Sequence, residues 1–413
     1  MTASQAVAGS GIVHSAPSLP ASVTDATRQV GPLESRWLAA ALVVTGLLVL
    51  GAWTVAAMRR RRHGASAAMG RRRGCRVVLA LLVAVPLLSG VLVGINNYVG
   101  YVPTPAALGQ LVGGTAGQPA PAPRPVETVG RRDGVDRGIA GTGHRPVVTG
   151  SSRLVQLTVA APGLGMPALP VLVLLPPGYD DPANSTVRYP VVYLLHGYPS
   201  SARDWVRAGR PQQTADLLLA GHLIRPMILV FPSTTPSWSQ DTECLNARTG
   251  PQVETYLTGP VVDTVDRTFR TLPDRAGRAI GGGSSGGYCA LNLGLRHLDR
   301  FSVILAMQPY GDPGQNAARS LLGGDPASLR ANSPSAYVPT MRFDRPVATL
   351  LSAATEDRQV AAAATTLGAE LANRGQYTAL RVASGFGHTW RETRAELPYA
   401  LAFADRHLNA ANG

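Results

Sequence analysis

A run of small residues at 280–288, IGGGSSGGY, is able to hold a reactive serine hydroxyl. The segment GGSSG at 282–286 fits the pattern G-x-S-x-G, in which the serine sits on a strained turn between a strand and a helix and its neighbours must be small. The following helix would point its N-terminal amides at developing negative charge. The spacing therefore predicts a nucleophile at Ser284. Ser285 stays an alternative, because the window shifted by one residue also fits loosely.

A serine nucleophile needs a base to take its proton, and the base follows the serine in the chain in this kind of strand and helix arrangement. His388 lies in the glycine-rich segment GFGHTW at 385–390, after the last predicted strand. His297 closes a predicted helix and His407 lies within one, where helix capping and solvent exposure are the expected roles. His388 is therefore the predicted base.

The base needs a carboxylate that holds the imidazole in the correct tautomer. Two carboxylates, Glu356 and Asp357, follow the apolar strand predicted at 347–352. Asp357 is the first candidate for the acid and Glu356 the second. Either carboxylate could instead cap the helix predicted after it.

An ester or amide reaction at a serine also requires donors for the tetrahedral oxygen. The backbone amide of Ser285, which follows the nucleophile, is one predicted donor. The amide of Tyr198, in the turn HGYP at 196–199, is the other. His196 is expected to support this turn and is left out of the catalytic set.

These segments fall among short apolar runs that alternate with helical patterns from Leu154 onwards, which predicts an α/β fold with a mostly parallel, doubly wound sheet. In such a sheet the functional loops follow the carboxyl ends of the strands. Strands are predicted at 154–159, 171–175, 190–195, 227–231, 278–282, 301–307, 347–352 and 379–383, and helices at 254–269, 287–297, 358–373 and 389–407.

The first hundred residues have a different character. Trp37 to Met58 and Val77 to Val99 are apolar runs long enough to span a bilayer. Eight arginines and no acidic residue lie at 59–76, which places this loop on the cytoplasmic side and both flanking parts of the chain outside. Gly90 and Gly94 form a G-x-x-x-G face on the second span, which would let the two helices approach closely.

The chain is therefore predicted to have four parts: an N-terminal extracytoplasmic tail at 1–36, a transmembrane hairpin at 37–101, a linker rich in Pro, Gly and Ala at 102–150, and an α/β domain at 151–413. The predicted location is the plasma membrane, with the α/β domain extracytoplasmic.

The net charge of +13 comes largely from the arginine loop, so it indicates membrane topology and no nucleic-acid partner is predicted. The chain has no lysine, which excludes lysine-dependent chemistry such as a P-loop or a Schiff base. No metal site or cofactor is predicted.

Of three cysteines, Cys75 lies in the arginine loop, whereas Cys244 and Cys289 lie in the exported domain. The latter two form a disulfide or remain free thiols.

Five motifs carry a family resemblance: YLLHG at 193–197, ETYL at 254–257, GGSSGGY at 282–288, RHLDRF at 296–301 and GHTW at 387–390. Over residues 151–410 the chain resembles the putative-esterase family of α/β-hydrolases, which contains esterase D, feruloyl esterases and the secreted mycolyltransferases. The resemblance implies an α/β-hydrolase fold, a serine, acid and histidine triad, an acyl-enzyme intermediate and no cofactor. Ser284, Asp357 and His388 fall on the catalytic positions, and Tyr198 and Ser285 on the oxyanion positions.

The chain departs from the family pattern at three places. Ser285 stands where the family usually carries methionine, Leu298 replaces a common proline, and Gln308-Pro309-Tyr310 replaces a serine-glycine pair. These departures concern the acyl pocket and leave the triad intact.

Together, these features predict a membrane-anchored extracytoplasmic serine esterase. Its predicted substrate is an acyl ester, including a lipid-linked or cell-envelope glycolipid ester. Two alternatives remain: an acyltransferase to an envelope sugar or lipid, and a non-catalytic envelope-binding module.

Overall fold

The computed structural model describes residues 11–62, 72–113, 120–121, 147–237 and 239–408. Residues 63–71 of the predicted arginine loop and most of the predicted linker lie outside these ranges. The chain divides into two compact units, which are called here the larger unit, residues 1–28 with 117–413, and the apolar unit, residues 29–116.

Within the described ranges, ten strands form one sheet in the order β1-β10-β9-β8-β7-β5-β6-β4-β3-β2. The strands are β1 Val13–Ser15, β2 Ala120–Pro121, β3 Arg153–Ala161, β4 Met166–Leu175, β5 Val191–Leu195, β6 Ile228–Pro232, β7 Arg278–Gly283, β8 Val303–Met307, β9 Ala348–Ala354 and β10 Tyr377–Ala383. The pairs β3/β4 and β4/β6 are antiparallel, and every other pair is parallel. The predicted mostly parallel α/β fold is confirmed, and each predicted strand overlaps an observed one.

Helices of the larger unit cover both faces of its sheet. In the described ranges this unit contains α1 Ala21–Arg28, α5 Ala202–Asp204, α6 Pro211–Ala220, α7 Val253–Tyr256, α8 Val262–Thr268, α9 Ser285–Arg296, α10 Gly314–Ser320, α11 Pro326–Ala331, α12 Pro334–Tyr337, α13 Arg358–Asn373 and α14 Trp390–His407. The apolar unit contains α2 Arg36–Arg62, α3 Arg72–Val99 and α4 Pro105–Gly113. The helix predicted at 254–269 is broken into α7 and α8 by a π-helical turn that contains Pro260. Proline has no N–H for the helical ladder, which accounts for the interruption.

Strand β5 shows why the central strands are uniformly apolar. Val191, Tyr193 and Leu195 pack into one buried cluster, whereas Val192 and Leu194 pack into a second one. Successive side chains of a strand point to opposite faces, so β5 has a hydrophobic layer on each side. A continuous apolar run is the expected sequence for a strand in that position.

The carboxyl ends of the parallel strands meet at one edge of the sheet. Gly283 at the end of β7 is in register with Met307 of β8, and Met307 is in register with Ser352 of β9. Ala354 and Ala383 likewise end β9 and β10 side by side. The loops after these strands therefore start close together although they are far apart in the chain.

Part of the N-terminal segment belongs to the larger unit. Strand β1 pairs parallel with β10, with Val13 opposite Thr378 and Ser15 opposite Leu380. Helix α1 packs against α14 and buries Val23. A three-residue strand carries too weak a period-two pattern for recognition from sequence, so the sequence predicts only a tail at this position.

The apolar unit contains α2 and α3, which pack against each other. Stretches of 24 residues (Arg36–Arg59) and 23 residues (Val77–Val99) are long and apolar enough to cross a membrane by length and composition.

A Cβ placed on Gly90 would lie 2.7 Å from Cγ2 of Val43, so Gly90 permits close packing. The predicted role of Gly94 is wrong, because nothing lies within 4 Å of such an atom there. Gly46, opposite Leu87, is the second close contact.

We expect Val23→Ala to lower the free energy of unfolding of the larger unit by about 1–3 kcal/mol, because it removes buried methyl groups and leaves a cavity. Val23 is 5% exposed and belongs to one of the two main core clusters. Urea unfolding of the detergent-solubilised chain, followed by tryptophan fluorescence, measures the change.

The matched control is Val13→Ala on β1, where the side chain is 36% exposed. That substitution should change the stability by less than about 0.5 kcal/mol. Equal effects of the two substitutions would show that α1 is not held by burial of Val23.

Candidate active site

The serine at 284 occupies a strained turn between β7 and α9. Its backbone has φ 61° and ψ −125°, a conformation that a residue other than glycine adopts at an energetic cost. The turn is possible because glycines flank it: a Cβ on Gly282 would lie 2.2 Å from the carbonyl oxygen of Gly286, and one on Gly286 would lie 2.2 Å from that of Leu195. Helix α9 therefore starts in direct contact with the sheet edge, and Ser284 stands at its N-terminus.

Three side chains from three strand ends meet at this turn. Nε2 of His388 lies 2.6 Å from Oγ of Ser284, and Nδ1 of His388 lies 2.7 Å from Oδ2 of Asp357. The serine follows β7, the aspartate follows β9 and the histidine follows β10. This is the hydrogen-bond chain in which the imidazole accepts the serine proton while a carboxylate holds the other ring nitrogen. Ser285 is not the hydroxyl that contacts this histidine.

Asp357 has two contacts. One carboxylate oxygen binds the imidazole of His388, and the other accepts a hydrogen bond from the amide of Val360 at 3.3 Å, which makes Asp357 the N-cap of α13. Asp357 thus makes the imidazole contact expected of the acid and also caps a helix. The cap fixes the carboxylate relative to α13, and this orients the imidazole.

Glu356 lies beside this pair but binds the loop of the histidine. Its carboxylate accepts hydrogen bonds from the amides of Gly385, at 2.7 Å, and Phe386, at 3.3 Å. The Gly385 amide is the main cause that lowers the pKa of Glu356. Glu356 thus ties the segment before His388 to the end of β9.

The turn after β5 lies over the nucleophile. A Cβ on Gly197 would lie 3.7 Å from Oγ of Ser284, which places the amide of the next residue, Tyr198, in this neighbourhood. Ser285 is the first residue of α9, where amides have no acceptor within the helix. The two amides predicted as oxyanion donors therefore belong to backbone segments on either side of the serine.

His196 is buried and supports this turn. Nδ1 donates to the carbonyl of Gly197 at 2.9 Å, and Nε2 accepts from the amide of Thr234 at 3.0 Å. Burial lowers the pKa of His196, so this histidine is held neutral. It is a structural residue, as expected from the sequence.

The remaining C-terminal histidines lie away from the serine. Nε2 of His297 lies 2.8 Å from Oε1 of Glu254, which also pairs with Arg296. This contact joins two of the motifs that carry the family resemblance. His407 packs against the rings of Tyr377 and Phe403 at the end of α14.

Cys244 and Cys289 are joined by a disulfide. Cys289 lies one turn along α9 from Ser285, so the bond connects the loop after β6 with the helix of the nucleophile turn. The exported location predicted from the sequence is one in which a disulfide persists.

Glu243, directly before Cys244, is a polar residue of the site that the sequence analysis missed. It is 7% exposed and accepts hydrogen bonds from the hydroxyls of Ser285, at 3.1 Å, and Tyr310. Burial is the largest cause that raises the pKa of Glu243 to about 7. A cavity of about 320 Å³ borders Glu243 and Asp241. The sequence feature that could have identified this contact is the pair of residues that differ from the family pattern, Ser285 and Tyr310.

A second buried carboxyl, that of Glu392, lies near the loop that carries His388. Gln308, at the end of β8, donates its side-chain amide to the carbonyl of Thr389 at 3.1 Å and to Oε2 of Glu392 at 2.6 Å. Burial is the main cause that raises the pKa of Glu392 to about 8. The side chain of Gln308 therefore connects the strand after the nucleophile helix to the residue that follows His388.

Within the ranges that the structure describes, no group of three or more His, Cys, Asp or Glu side chains is arranged to hold a metal ion.

The chain matches the family model "Putative esterase" over residues 167–404. An uncharacterized protein of Corynebacterium glutamicum is 30% identical over 174 residues, which is 41% of this chain and 40% of that protein. An endo-1,4-beta-xylanase/feruloyl esterase of Xylanibacter ruminicola is 30% identical over 131 residues, which is 31% of this chain and 18% of that protein. The chain thus spans less than half the length of these curated relatives.

Among solved structures, a ferulic acid esterase superimposes with a TM-score of 0.55 and 26% sequence identity. The superposition covers 62% of this chain and 98% of the esterase. The α/β-hydrolase fold and the family resemblance predicted from the sequence are confirmed by the family match and by this structure. The chain therefore belongs to the putative esterase family and has an α/β-hydrolase fold.

Proposed function

We propose that this protein is a membrane-anchored, extracytoplasmic serine esterase in which Ser284, His388 and Asp357 form the catalytic triad. The observation that carries the assignment is the continuous hydrogen-bond chain from Ser284 through His388 to Asp357, with distances of 2.6 Å and 2.7 Å. The strained backbone of Ser284 supports it, because strain of this kind occurs at functional turns.

The reaction runs in two halves. Oγ of Ser284 attacks the ester carbonyl carbon while its proton passes to Nε2 of His388. The amides of Tyr198 and Ser285 stabilise the oxyanion of the tetrahedral intermediate. The intermediate collapses, the alcohol leaves with the proton from His388, and the acyl group stays on Ser284. Water, deprotonated by His388, then attacks the acyl-enzyme and releases the carboxylic acid.

The role of Asp357 follows from its two contacts. Its carboxylate keeps Nδ1 of His388 protonated, so that Nε2 is free to accept the serine proton, and it stabilises the imidazolium that forms. Glu356 is assigned a different task, which is to hold the loop that carries the histidine.

The proposed location rests on chain connectivity as well as on hydropathy. Residues on both sides of the apolar unit, Arg28 and Gly117, belong to the same larger unit. A single folded unit lies on one side of a membrane, so the segment between them must cross an even number of times. Two apolar stretches and an arginine-rich loop between them agree with a hairpin whose loop is cytoplasmic.

For the substrate we propose an acyl ester that reaches an enzyme held at the membrane, including esters of lipids or of cell-envelope components. Two of the proteins similar to this chain are named for feruloyl or ferulic acid esters. A substrate panel should therefore pair a hydroxycinnamate ester with aliphatic and lipid esters of the same alcohol.

We expect Ser284→Ala to abolish labelling by a fluorophosphonate probe, because it removes the attacking oxygen. Ser285→Ala should still be labelled, since its hydroxyl faces Glu243 and the histidine lies on Ser284. In-gel fluorescence of the full chain in detergent reads both results. If Ser285→Ala lost its labelling and Ser284→Ala kept it, the nucleophile would be Ser285 instead of Ser284.

We expect Asp357→Asn to lower kcat/KM by about 10³–10⁴-fold, because an amide in place of the carboxylate favours the wrong imidazole tautomer. Glu356→Gln is the matched control, and it should lower kcat/KM by less than about tenfold because the amide oxygen still accepts from the Gly385 loop. Steady-state hydrolysis of a p-nitrophenyl ester measures both. A larger loss in Glu356→Gln than in Asp357→Asn would reverse the assignment of the acid.

The membrane topology is testable with the natural cysteines, because Cys244 and Cys289 are paired and leave Cys75 as the reactive thiol. A membrane-impermeant maleimide should fail to label Cys75 in intact cells and should label it after permeabilisation. The control is Ser185→Cys in a Cys75→Ser background, since Ser185 is exposed in the larger unit. This variant should react in intact cells, and the reverse pattern would invert the topology.

A further inference from the structure

Two departures from the family pattern meet at one carboxyl group. The hydroxyl of Ser285 donates to Oε2 of Glu243 at 3.1 Å. The hydroxyl of Tyr310 lies 2.7 Å from Oε1 and 2.6 Å from Oε2 of the same carboxyl. Ser285 directly follows the nucleophile, and Tyr310 lies just beyond the end of β8. The two unusual residues thus form one hydrogen-bonded network with Glu243.

The loop that carries Glu243 is fixed to the nucleophile helix at two adjacent residues. Glu243 binds Ser285, and Cys244 is bonded to Cys289. Ser285 and Cys289 are four residues apart in α9 and therefore lie on the same face of the helix. Both loop residues have positive φ, 44° at Glu243 and 52° at Cys244. The loop thus adopts an uncommon backbone conformation in which consecutive residues contact one helix face.

Tyr310, the third member of this network, is held in place by a contact between two aromatic rings. The ring of Tyr310 stacks on that of Tyr288 in α9, with centroids 5.1 Å apart and an angle of 7° between the planes. Tyr288 itself donates to the carbonyl of Asn332 at 2.6 Å. The phenol that binds Glu243 is therefore positioned by the same helix that begins at the oxyanion amide.

The charged and titratable groups around Glu243 come from each neighbouring segment. Asp241 belongs to its own loop, Asp312 and Tyr310 to the loop after β8, and Tyr288 to α9. Burial and the two aspartates raise the pKa of Glu243, whereas the hydroxyls of Tyr310 and Ser285 lower it. The carboxyl is consequently neutral in acid and gains its charge at about pH 7.

We propose that Glu243 is a positioning residue that holds Ser285 at the oxyanion hole, and that a charge on this carboxyl slows acylation. The inference rests on the proposed function, because it concerns the transition state formed at Ser284. A carboxylate bonded to the residue that supplies the oxyanion amide repels the negative charge that develops on the substrate oxygen. The neutral acid keeps the hydrogen bonds and lacks the repulsion.

The rate of fluorophosphonate labelling tests this inference, because phosphonylation places a phosphoryl oxygen in the oxyanion hole and requires no knowledge of the natural substrate. Wild type and Glu243→Gln are compared from pH 5.5 to 9.5 with the full chain in detergent. The ratio of the two rates removes pH effects that are common to both proteins. The ratio of wild type to variant should be close to one in acid and should fall about tenfold through a midpoint near pH 7.

The two neighbours should move this midpoint in opposite directions. Tyr310→Phe removes a donor to the charged carboxylate, so the pKa of Glu243 rises and the midpoint moves to higher pH. Asp241→Asn removes a like charge, so the midpoint moves to lower pH. A role in folding alone would change the rates without such opposite shifts.

A circular dichroism spectrum that matches wild type shows that the Glu243→Gln protein is folded, which supplies the structural control. If its rate still falls at high pH as in wild type, or if neither neighbour moves the midpoint, the inference is wrong while the esterase assignment stands. If wild type is not labelled at any pH, or if labelling survives Ser284→Ala, the proposed function and the inference both fail.

Discussion

The close approach of helix α9 to the sheet edge is the constraint on which the site depends. Gly282 and Gly286 bring backbone atoms to distances that no side chain would allow, with the carbonyl of Leu195 2.2 Å from where a Cβ of Gly286 would lie. This approach forces Ser284 into its positive-φ turn and brings the turn at Gly197 over its hydroxyl. Ser284, the N-terminus of α9 and the turn at Gly197 are thus placed by one packing contact.

The histidine is held by a separate set of contacts. The loop before it is bound by Glu356, the imidazole by Asp357, and the residue after it by Gln308. Glu356 accepts hydrogen bonds from backbone amides, Asp357 hydrogen-bonds the imidazole, and Gln308 donates to a backbone carbonyl. Because the two carboxylates are consecutive, the end of β9 fixes both the position of the loop and the tautomer of the ring.

The sequence predicts the elements and residues whose patterns are local. The helix at 358–373 and the glycine-flanked serine turn are examples, since both depend on neighbours in the chain. Strand β1 and the contact between Glu243 and Ser285 are not local, because their partners lie 365 and 42 residues away. Only the sheet register and the loop conformation bring them together. The unusual residue types at Ser285 and Tyr310 were visible in the sequence, but their common partner was not.

The N-terminal segment leads from the larger unit into the apolar unit and contacts the loop of His388. Arg28 is the last residue of the larger unit before the apolar unit starts at Gln29, and its guanidinium lies 5.5 Å from the ring centroid of Phe386. Phe386 is two residues before His388 and is 9% exposed. A cation over an aromatic face is stabilising, more so when it is partly desolvated. The chain therefore leaves the larger unit at a residue that contacts the loop of His388. A truncated chain that starts at residue 117 would lack strand β1 of the sheet and this contact.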